Sequence, residues 1–368
     1  MKVESISIKN FKLFENLEVS FKNQTLDEVS NRFLILGDNG TGKTTLLQAI
    51  ALPLALATRQ ISRVTDFYWV GFLPSRYRKW GTPKIELIVS FEDEEIQATQ
   101  EIAEKWYEAQ PETFKSENPF VKPGNKNSVR LILEDDYWKA GNTPEERLQF
   151  QGRYYTQWLV NRGEKSYREY FSKLPGIFWF DQFRNLVSNK EKNGDGWIEA
   201  ESSGSFELGI GSLRQYLIKW KEKQDTISQG FRDDYWLMKL QNLYQKMFPN
   251  RSFWGVEQVP KFNSPTEEES YFVLSDGNRT YDLVEMSAGE QGIFPILYEF
   301  VRQQIAYSVV LIDEIDLNLH PPTAQSFVSK LPKISQSCQF IFTTHSRAVS
   351  DIMGESETYR LSGGSICL

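Results

Sequence analysis

The stretch "FLILGDNGTGKTTLLQAI" at residues 33–50 constrains the possible folds of this 368-residue chain more than any other. A hydrophobic run breaks into glycines, passes Lys43 and Thr44, and resumes as an apolar segment that predicts a helix. The spacing from Gly37 to Gly42, Lys43 and Thr44 matches a phosphate-binding loop, in which backbone N–H groups and a helix N-terminus surround phosphates. A chance glycine-rich turn is the alternative, but a match over eight positions favours a nucleoside triphosphate site.

Each residue type in this loop has a chemical reason to be there. Glycines let the backbone turn tightly, Lys43 can reach the β- and γ-phosphates, and the Thr44 hydroxyl can ligate Mg²⁺. Residues 33–36 predict a buried strand, and residues 44–57 predict the helix whose positive end faces the ligand. The loop residues predicted to bind the nucleotide are Asn39, Gly40, Thr41, Gly42, Lys43, Thr44 and Thr45.

A second motif, "VVLIDEIDLNLHP" at residues 309–321, supplies the acidic partners that a phosphate-binding loop needs. It predicts an apolar strand that ends in two carboxylates. Asp313 is predicted to hold a phosphate-bound Mg²⁺, and Glu314 is predicted to orient and deprotonate the attacking water. A strand followed by a solvated acidic turn is the alternative, which the phosphate-binding loop upstream disfavours.

A third motif, "MSAGEQGIF" at residues 286–294, indicates another phosphate-binding surface. A serine hydroxyl, a glycine backbone and a helix N-terminus occur together at the start of an apolar run. One nucleotide rarely needs two such surfaces from one chain. The residues predicted to form this surface are Ser287, Ala288, Gly289 and Glu290.

The composition indicates a folded protein outside the membrane. Hydrophobic residues make up 40% of the chain and aromatic residues 14%, which is ample for a packed core in one or two domains. Two cysteines cannot form a disulfide framework, so we expect a reducing compartment. The longest apolar stretch, at 46–57, is too short to span a bilayer, and the N-terminus has no signal-peptide core. We therefore expect a cytoplasmic protein with no membrane partner.

The net charge of −7 argues against a globally basic nucleic-acid binder, although a local groove stays possible. One basic cluster, "PSRYRKW" at 74–80, interleaves aromatic residues with arginines. Such a cluster can contact backbone phosphates and stack on bases, but a solvated loop is the favoured interpretation.

Hydrophobic patterning gives a coarse secondary structure. Strands are predicted at 3–9, 17–21, 32–36, 84–93 and 128–136. A polar helical insertion is predicted at 94–127, an aromatic-rich helical region at 144–174, a loop at 194–211 and one or two amphipathic helices at 212–248.

The order of the motifs resembles that of ABC-type ATPases: a phosphate loop, then Ser-Ala-Gly-Glu-Gln, then the Asp-Glu strand about 25 residues later. The chain looks like the soluble branch that includes SMC, RecF and OLD-type ATPases. This resemblance implies an α/β fold, an ABC-ATPase head with a RecA-like core sheet, an antiparallel β-subdomain and an inserted helical subdomain. It also implies ATP and Mg²⁺ as cofactors, and a homodimer in which the serine motif of one chain binds ATP held by the other.

Four details support this branch. "ISIKNFKLFENLEVSF" at 6–21 resembles its opening, which implies that Lys12 lies near the phosphates or adenine. "GIFWFDQFRNL" resembles a strand running into the Q-loop, which makes Gln182 a candidate to sense Mg²⁺ and the water. "LNLHP" places His320 where transporters usually carry an aspartate. "FIFTTHS" ends a strand at His345, which resembles the switch histidine that contacts the γ-phosphate.

The resemblance implies four regions. They are the N-terminal part of the head with the phosphate loop at 1–93, an inserted helical and strand region at 94–175, the Q-loop and a helical lid at 176–269, and the C-terminal part with signature, Walker B strand and switch histidine at 270–368.

The resemblance implies an ATP-hydrolysing dimeric switch. SMC proteins insert long coiled coils and OLD nucleases continue into a nuclease domain, and neither feature is visible here, so we expect a nuclease or other effector on a separate chain. Compact chains of this kind resemble ATPase subunits of bacterial anti-phage systems. One alternative is a RecF- or SMC-like DNA-repair ATPase, for which DNA is a possible partner. A second is a transporter's nucleotide-binding subunit, which the "LHP" and "NFK" motifs argue against. A third is a non-hydrolysing scaffold, which the presence of Glu314 argues against.

Overall fold

The computed structural model describes residues 1–23, 27–182, 213–222, 236–335 and 337–361. The strands are β1 (Lys2–Phe11), β2 (Phe14–Ser20), β3 (Arg32–Leu36), β4 (Lys84–Ser90), β5 (Ser128–Glu134), β6 (Tyr137–Ala140), β7 (Gly176–Phe180), β8 (Ser252–Lys261), β9 (Ser264–Ser275), β10 (Thr280–Asp282), β11 (Ser308–Ile312), β12 (Gln339–Thr344) and β13 (Thr358–Arg360). The α-helices are α1 (Lys43–Ala57), α2 (Asp93–Glu108), α3 (Glu112–Glu117), α4 (Pro144–Leu148), α5 (Gly152–Asn161), α6 (213–222), α7 (Trp236–Met247), α8 (Ala288–Arg302), α9 (Pro321–Ile334) and α10 (Arg347–Ser350). Short 3₁₀ helices lie at Val64–Asp66, Pro74–Arg76, Gln149–Gln151, Lys165–Lys173, Leu283–Glu285 and Glu355–Glu357.

The described residues form two compact units. The first unit comprises those of Met1–Gln182, Gln304–Asp316 and Val328–Leu368, and the second those of Phe183–Gln303 and Leu317–Phe327. The loop predicted at 194–211 lies outside the described residues. In the part of the chain that the structure describes, no helix is both long and apolar enough to cross a membrane.

A parallel five-stranded sheet organises the first unit. Its strand order is β13-β3-β12-β11-β7, and the register pairs Leu36 with Thr344 and Ile312 with Phe180. Because parallel strands end at the same edge, the segments that follow β3, β11 and β12 lie together at the carboxyl edge. The motifs that carry the predicted chemistry are on these segments. The RecA-like core sheet expected from the sequence is confirmed.

A second, antiparallel sheet in the same unit has the order β2-β1-β4-β5-β6. Its apolar residues alternate, as at Ile85, Leu87 and Val89, so that one face is buried. Helix α1 packs against strands of both sheets and is buried around almost its whole circumference. This position explains why residues 46–57 are apolar without the periodicity of a surface helix. The predicted antiparallel β-subdomain is confirmed.

The helical subdomain follows β4. The strand predicted at 84–93 ends at Ser90, because Glu92 caps α2 in a capping box with Glu95. Helices α2 and α3 occupy only the first part of the insertion predicted at 94–127, and residues 118–127 are not helical. Helix α2 packs against α5 and the 3₁₀ helix at Lys165–Lys173, which buries Tyr155 and partly buries its aromatic neighbours.

The second unit contains α6, α7, α8 and a three-stranded antiparallel sheet of order β10-β9-β8. The amphipathic helices expected at 212–248 are found at α6 and α7, with residues 223–235 outside the described part. The long hairpin of β8 and β9 was not predicted, and the boundary predicted between residues 269 and 270 falls within β9.

Candidate nucleotide-binding site

The phosphate-binding loop connects β3 to α1 at the carboxyl edge of the parallel sheet. Gly40 and Gly42 have φ angles of 81° and 100°, which side chains with a Cβ rarely adopt. A Cβ at Gly42 would also come 2.6 Å from the Phe14 ring, so the glycine permits close packing there. Within the loop, Asn39 is exposed, whereas Thr45 is buried on the first turn of α1. The sequence thus builds the loop and the helix N-terminus that were predicted.

Lys43 lies at the centre of this loop. Its ammonium Nζ donates to the backbone carbonyls of Gly37 at 2.9 Å and Asp38 at 3.2 Å. The same nitrogen lies 3.3 Å from Glu314 Oε1, and the Lys43 side chain is 5% exposed. A fixed positive charge therefore lies between the phosphate loop and the acidic end of β11.

Asp313 connects three segments of the site. It directly follows β11, and its backbone N–H donates to the Phe180 carbonyl at 2.9 Å. The Thr44 hydroxyl donates to Asp313 Oδ2 and the Thr343 hydroxyl donates to Asp313 Oδ1, each at 2.7 Å. Burial raises the pKa of Asp313, and the two hydroxyls and Lys43 act in the opposite direction. Thr44 and Asp313, two of the predicted Mg²⁺ ligands, are thus adjacent.

Glu314 and His345 form a second contact pair at the same edge. His345 Nδ1 lies 3.0 Å from Glu314 Oε2, and the Glu314 backbone N–H donates to Thr343 Oγ1 at 2.8 Å. Glu314 has a φ of 46°, an unusual value for a residue with a side chain. Such strained residues persist where neighbours hold them and cluster at functional sites, and Lys43, His345 and Thr343 hold Glu314.

Two sequence predictions concern the periphery of the site. The Lys12 ammonium donates to Gln48 Oε1 at 2.7 Å and to the Gly71 carbonyl at 2.9 Å, beside α1 and not on the loop itself. Burial lowers the pKa of Lys12. Gln182 is exposed two residues after β7, whose carboxyl end is at the same edge of the sheet. The roles of Lys12 and Gln182 toward nucleotide and metal stay predictions.

Sequence reasoning missed Thr343, which bonds both acidic residues. Its hydroxyl donates to Asp313 and accepts the backbone N–H of Glu314. The neighbouring Thr344 hydroxyl bonds Asp316. The pair of threonines before His345 in "FIFTTHS" is the sequence signal for this role, because polar residues are unusual at the end of a fully buried strand.

In the second unit, Ser287 caps the N-terminus of the 15-residue helix α8. The Ser287 hydroxyl donates to Glu290 Oε2 at 2.7 Å, and the Ser287 backbone N–H donates to the same oxygen at 3.0 Å. Ser287 and Ala288 are exposed. The N-terminus of α8, with its positive dipole end and its serine hydroxyl, therefore faces outward.

Glu290 is held by residues from three other segments of the second unit. Tyr281 on β10 donates to Glu290 Oε1 at 2.7 Å, Tyr244 on α7 donates to the same oxygen, and Arg251 Nε lies 3.5 Å from it. Burial alone would raise the pKa of Glu290, but hydrogen bonds from Tyr244, Ser287 and Tyr281 outweigh it and lower the pKa. Burial raises the pKa of Tyr281 to about 12, so its hydroxyl stays a donor. These contacts fix the serine motif in one geometry, and sequence reasoning missed them.

The basic cluster at 74–80 is partly engaged within the protein, through Tyr77 and Arg78. Tyr77 is buried, and its hydroxyl donates to the Asp135 carbonyl at 2.9 Å. The Arg78 guanidinium pairs with Asp135 and with Asp136. The solvated-loop interpretation fits the exposure of the other residues, Arg76, Lys79 and Trp80 among them.

Comparison with known proteins shows relatives that extend over most of this chain. The chain is 22% identical over 388 residues to a retron Vc95 probable ATPase of Vibrio cholerae serotype O1 biovar El Tor, covering 95% of this chain and 71% of that protein. It is 22% identical to a retron Ec83 probable ATPase of Escherichia coli, covering 99% and 72%. It is 25% identical to Septu protein PtuA of Bacillus mycoides strain KBAB4, covering 93% of this chain but only 38% of that protein.

Solved structures similar to the chain include the SMC head domain from Thermotoga maritima, with 15% identity, a TM-score of 0.43 and coverage of 96% of this chain and 92% of that chain. An Smc head domain with an extended coiled coil, bound to the C-terminal domain of ScpA derived from Pyrococcus furiosus, has 13% identity, a TM-score of 0.48 and coverage of 95% and 91%.

Two family models match complementary parts of the chain. Residues 1–105, a range that contains the phosphate-binding loop, match the AAA ATPase domain. Residues 157–351, more than half of the chain, match the family described as "AAA domain, putative AbiEii toxin, Type IV TA system". This matched range contains the serine motif, Asp313, Glu314 and His345. Together with the site geometry, these matches show that the chain belongs to this family of AAA ATPase domains.

Proposed function

We propose that the chain is an ATP-hydrolysing switch that works as a homodimer and controls a separate effector, a nuclease or toxin, in bacterial anti-phage defence. The observation that carries the hydrolytic part is the set of contacts at the carboxyl edge of the parallel sheet. There Glu314 lies between Lys43 and His345, next to the Thr44–Asp313 pair. A binding scaffold has no need of a carboxylate held between a phosphate-loop lysine and a histidine.

In the proposed reaction the phosphate loop and Lys43 hold the triphosphate. Glu314 accepts a proton from water while the water oxygen attacks the γ-phosphorus, the bond to the β,γ-bridging oxygen breaks, and ADP and phosphate leave. His345 orients Glu314 through the 3.0 Å contact and senses the γ-phosphate. Lys43 stabilises the negative charge on the phosphate oxygens.

The residues beside the phosphate loop fit Mg²⁺. The hydroxyl of Thr44 and the carboxylate of Asp313 are oxygen donors of the kind that this ion binds, alongside phosphates and water. Asp313 is 1% exposed, and its oxygens contact hydroxyl groups that orient the carboxylate. When bound, the ion neutralises phosphate charge. Thr44 and Asp313 are the residues that would hold it, with Gln182 proposed as a further contact.

We propose that Ser287 completes the site of a second copy. Its hydroxyl and the N-terminus of α8 are exposed, and anions bind favourably at such a helix end. Tyr244, Tyr281 and Arg251 offset the carboxylate charge of Glu290, which otherwise would repel a phosphate. Two-fold symmetry then gives two shared sites per dimer. Binding of ATP would bring the two chains together, and hydrolysis would weaken their association.

The defence role is supported by the relatives. Two of them are named as probable ATPases of retrons and one as a Septu protein, and the alignments extend over most of this chain. We propose that this chain operates as the ATPase component of such a system. In the basic cluster at 74–80, Tyr77 and Arg78 contact Asp135 and Asp136, which weakens the case for a function on DNA through that stretch.

An ATP-dependent association assay tests the proposal. Ser287→Arg is expected to abolish ATP-induced dimerisation, because the bulky side chain blocks the partner's γ-phosphate, while each chain still binds ATP at its own loop. Sedimentation velocity with ATP and Mg²⁺ measures the first effect, and fluorescent-nucleotide titration the second. Thr113→Arg, at an exposed position of α3, is the matched control and should dimerise like wild type. ATP-dependent dimers of Ser287→Arg at wild-type concentrations would contradict the shared site.

A further inference from the structure

The hairpin of β8 and β9 has a distal part, residues 257–269, that we name the arm. Cross-strand pairing runs from Ser252–Ser275 to Lys261–Ser264, whereas β10 pairs only with the base of β9 at Val273–Ser275. Almost all side chains described in the arm are exposed, on both faces of the ribbon. Phe262 at its tip is 99% exposed and Val259 is 39% exposed.

This exposure does not contribute to folding. A two-stranded ribbon without a covered face is only marginally stable, so the arm gains little from its own side chains. A fully exposed phenylalanine buries no apolar area within the described residues. Aromatic side chains that enter a partner's pocket are typical anchors of protein interfaces. The tip therefore has the character of an anchor that is buried only in a complex.

The arm is acidic around this anchor. It carries four carboxylates, Glu257, Glu267, Glu268 and Glu269, and a single lysine, Lys261, which pairs with Glu267 at 2.7 Å. The register places Glu257 opposite Tyr271 and Val259 opposite Glu269, so these residues share one face. On that face the exposed Val259 lies among carboxylates. The arm thus carries two exposed apolar side chains, Phe262 and Val259, on a segment rich in carboxylates.

The β8 edge of the arm is unsuited to adding a strand from another chain. Pro260 on β8 has no N–H, and the register shifts between Pro260 and Lys261. Recognition along β8 must therefore use side chains. The carboxylates also repel nucleic-acid phosphates and anionic lipid, and a second copy of this chain carries a net charge of −7.

We propose that the arm is the docking element for a different protein chain, one that presents an apolar pocket for Phe262 surrounded by lysine and arginine side chains. Charge complementarity speeds encounter and fixes the partner, while burial of the aromatic ring supplies affinity. The proposal does not depend on the roles assigned to Ser287 or Glu314.

Site-specific photocrosslinking identifies the partner. The full chain is expressed in its native cells with benzoylphenylalanine at position 262, or at position 137 as the control, since Tyr137 on β6 is an equally accessible aromatic at 72% exposure. Position 262 is expected to capture one defined polypeptide, different from this chain and with a basic surface, that position 137 does not capture. Crosslinks to a second copy, to nucleic acid or lipid, or to no defined polypeptide would overturn the proposal.

Affinity measurements with the captured protein then test the chemistry. Phe262→Ala and the double variant Glu257→Lys/Glu269→Lys are each expected to weaken binding at least about tenfold, a usual effect for an interface anchor. Glu104→Lys, an exposed charge reversal on α2, should leave affinity unchanged. Affinity should also fall as salt rises. Wild-type affinity in either arm variant, with folding verified by thermal unfolding, would overturn the assignment.

Discussion

Glu314→Gln is expected to slow ATP hydrolysis roughly 10²-fold or more, the usual scale for loss of a general base. The amide keeps the size of the side chain but cannot take the proton from water. ATP affinity should stay equal or tighten, because the substitution removes a negative charge beside the phosphates and releases Lys43 from the 3.3 Å ion pair. Single-turnover hydrolysis and nucleotide titration measure the two effects separately.

The same variant should accumulate as an ATP-bound dimer, because closure precedes hydrolysis in the proposed cycle. Glu355→Gln, an exposed carboxylate on the 3₁₀ helix before β13, provides the matched control. If Glu314→Gln hydrolyses ATP within a few-fold of wild type, a different group is the base. If its hydrolysis is slow but dimers are no more abundant than in wild type, the coupling between hydrolysis and opening is wrong.

Lys43→Ala is expected to weaken ATP binding by about 100-fold or more, equivalent to about 2.7 kcal/mol. The ammonium group lies inside the loop, 3.3 Å from Glu314 Oε1 and within hydrogen-bond distance of the Gly37 and Asp38 carbonyls. Its loss removes a positive charge that faces both the phosphate loop and the Glu314 carboxylate. Turnover should fall below detection at ATP concentrations that saturate wild type.

Thermal unfolding separates this effect from a loss of structure. Nucleotide that binds only the folded state raises the Tm, so ATP should stabilise wild type but not Lys43→Ala. Lys9→Ala, at an exposed position of β1, should retain the ATP-dependent rise. A Lys43→Ala protein that keeps this rise and turns over ATP normally would remove the phosphate-loop assignment.

The core of the site was predictable because each part has a local sequence signal. Glycine spacing fixes the loop, and uninterrupted apolar runs fix the buried strands that end just before Asp313 and His345. The loop and the two strand ends lie at one edge of the sheet because its strands are parallel. The bonds of Thr343 were not predictable in the same way, because they depend on the register of β12 against its neighbours.

The second unit was harder to predict for physical reasons. In the arm, polar residues occupy both faces, so residues 257–269 lack the alternation that marks a half-buried strand. The contacts to Glu290 join Tyr244, Arg251 and Tyr281, which lie on separate elements, and no spacing along the chain relates them. Only tertiary packing brings these groups together.

The central claim, that each ATP site is shared between two chains, can be tested by mixing two inactive variants. Lys43→Ala damages the phosphate loop of its own chain, whereas Ser287→Arg damages the site whose loop belongs to the partner. A heterodimer of the two therefore combines both lesions in one site and leaves the other site wild type. Chain exchange is verified independently with differently labelled proteins.

Neither variant is expected to form ATP-dependent dimers with itself, whereas a mixed dimer has one wild-type site of two, so up to about half of wild-type hydrolysis should return if the sites act independently. Photocrosslinking of ATP to the mixture provides a second readout that does not require turnover. The account predicts recovery of ATPase activity and a rise in labelling of the Ser287→Arg chain above its level in the unmixed variant. Complete exchange without recovery of either signal would contradict the shared site and the dimeric switch built on it.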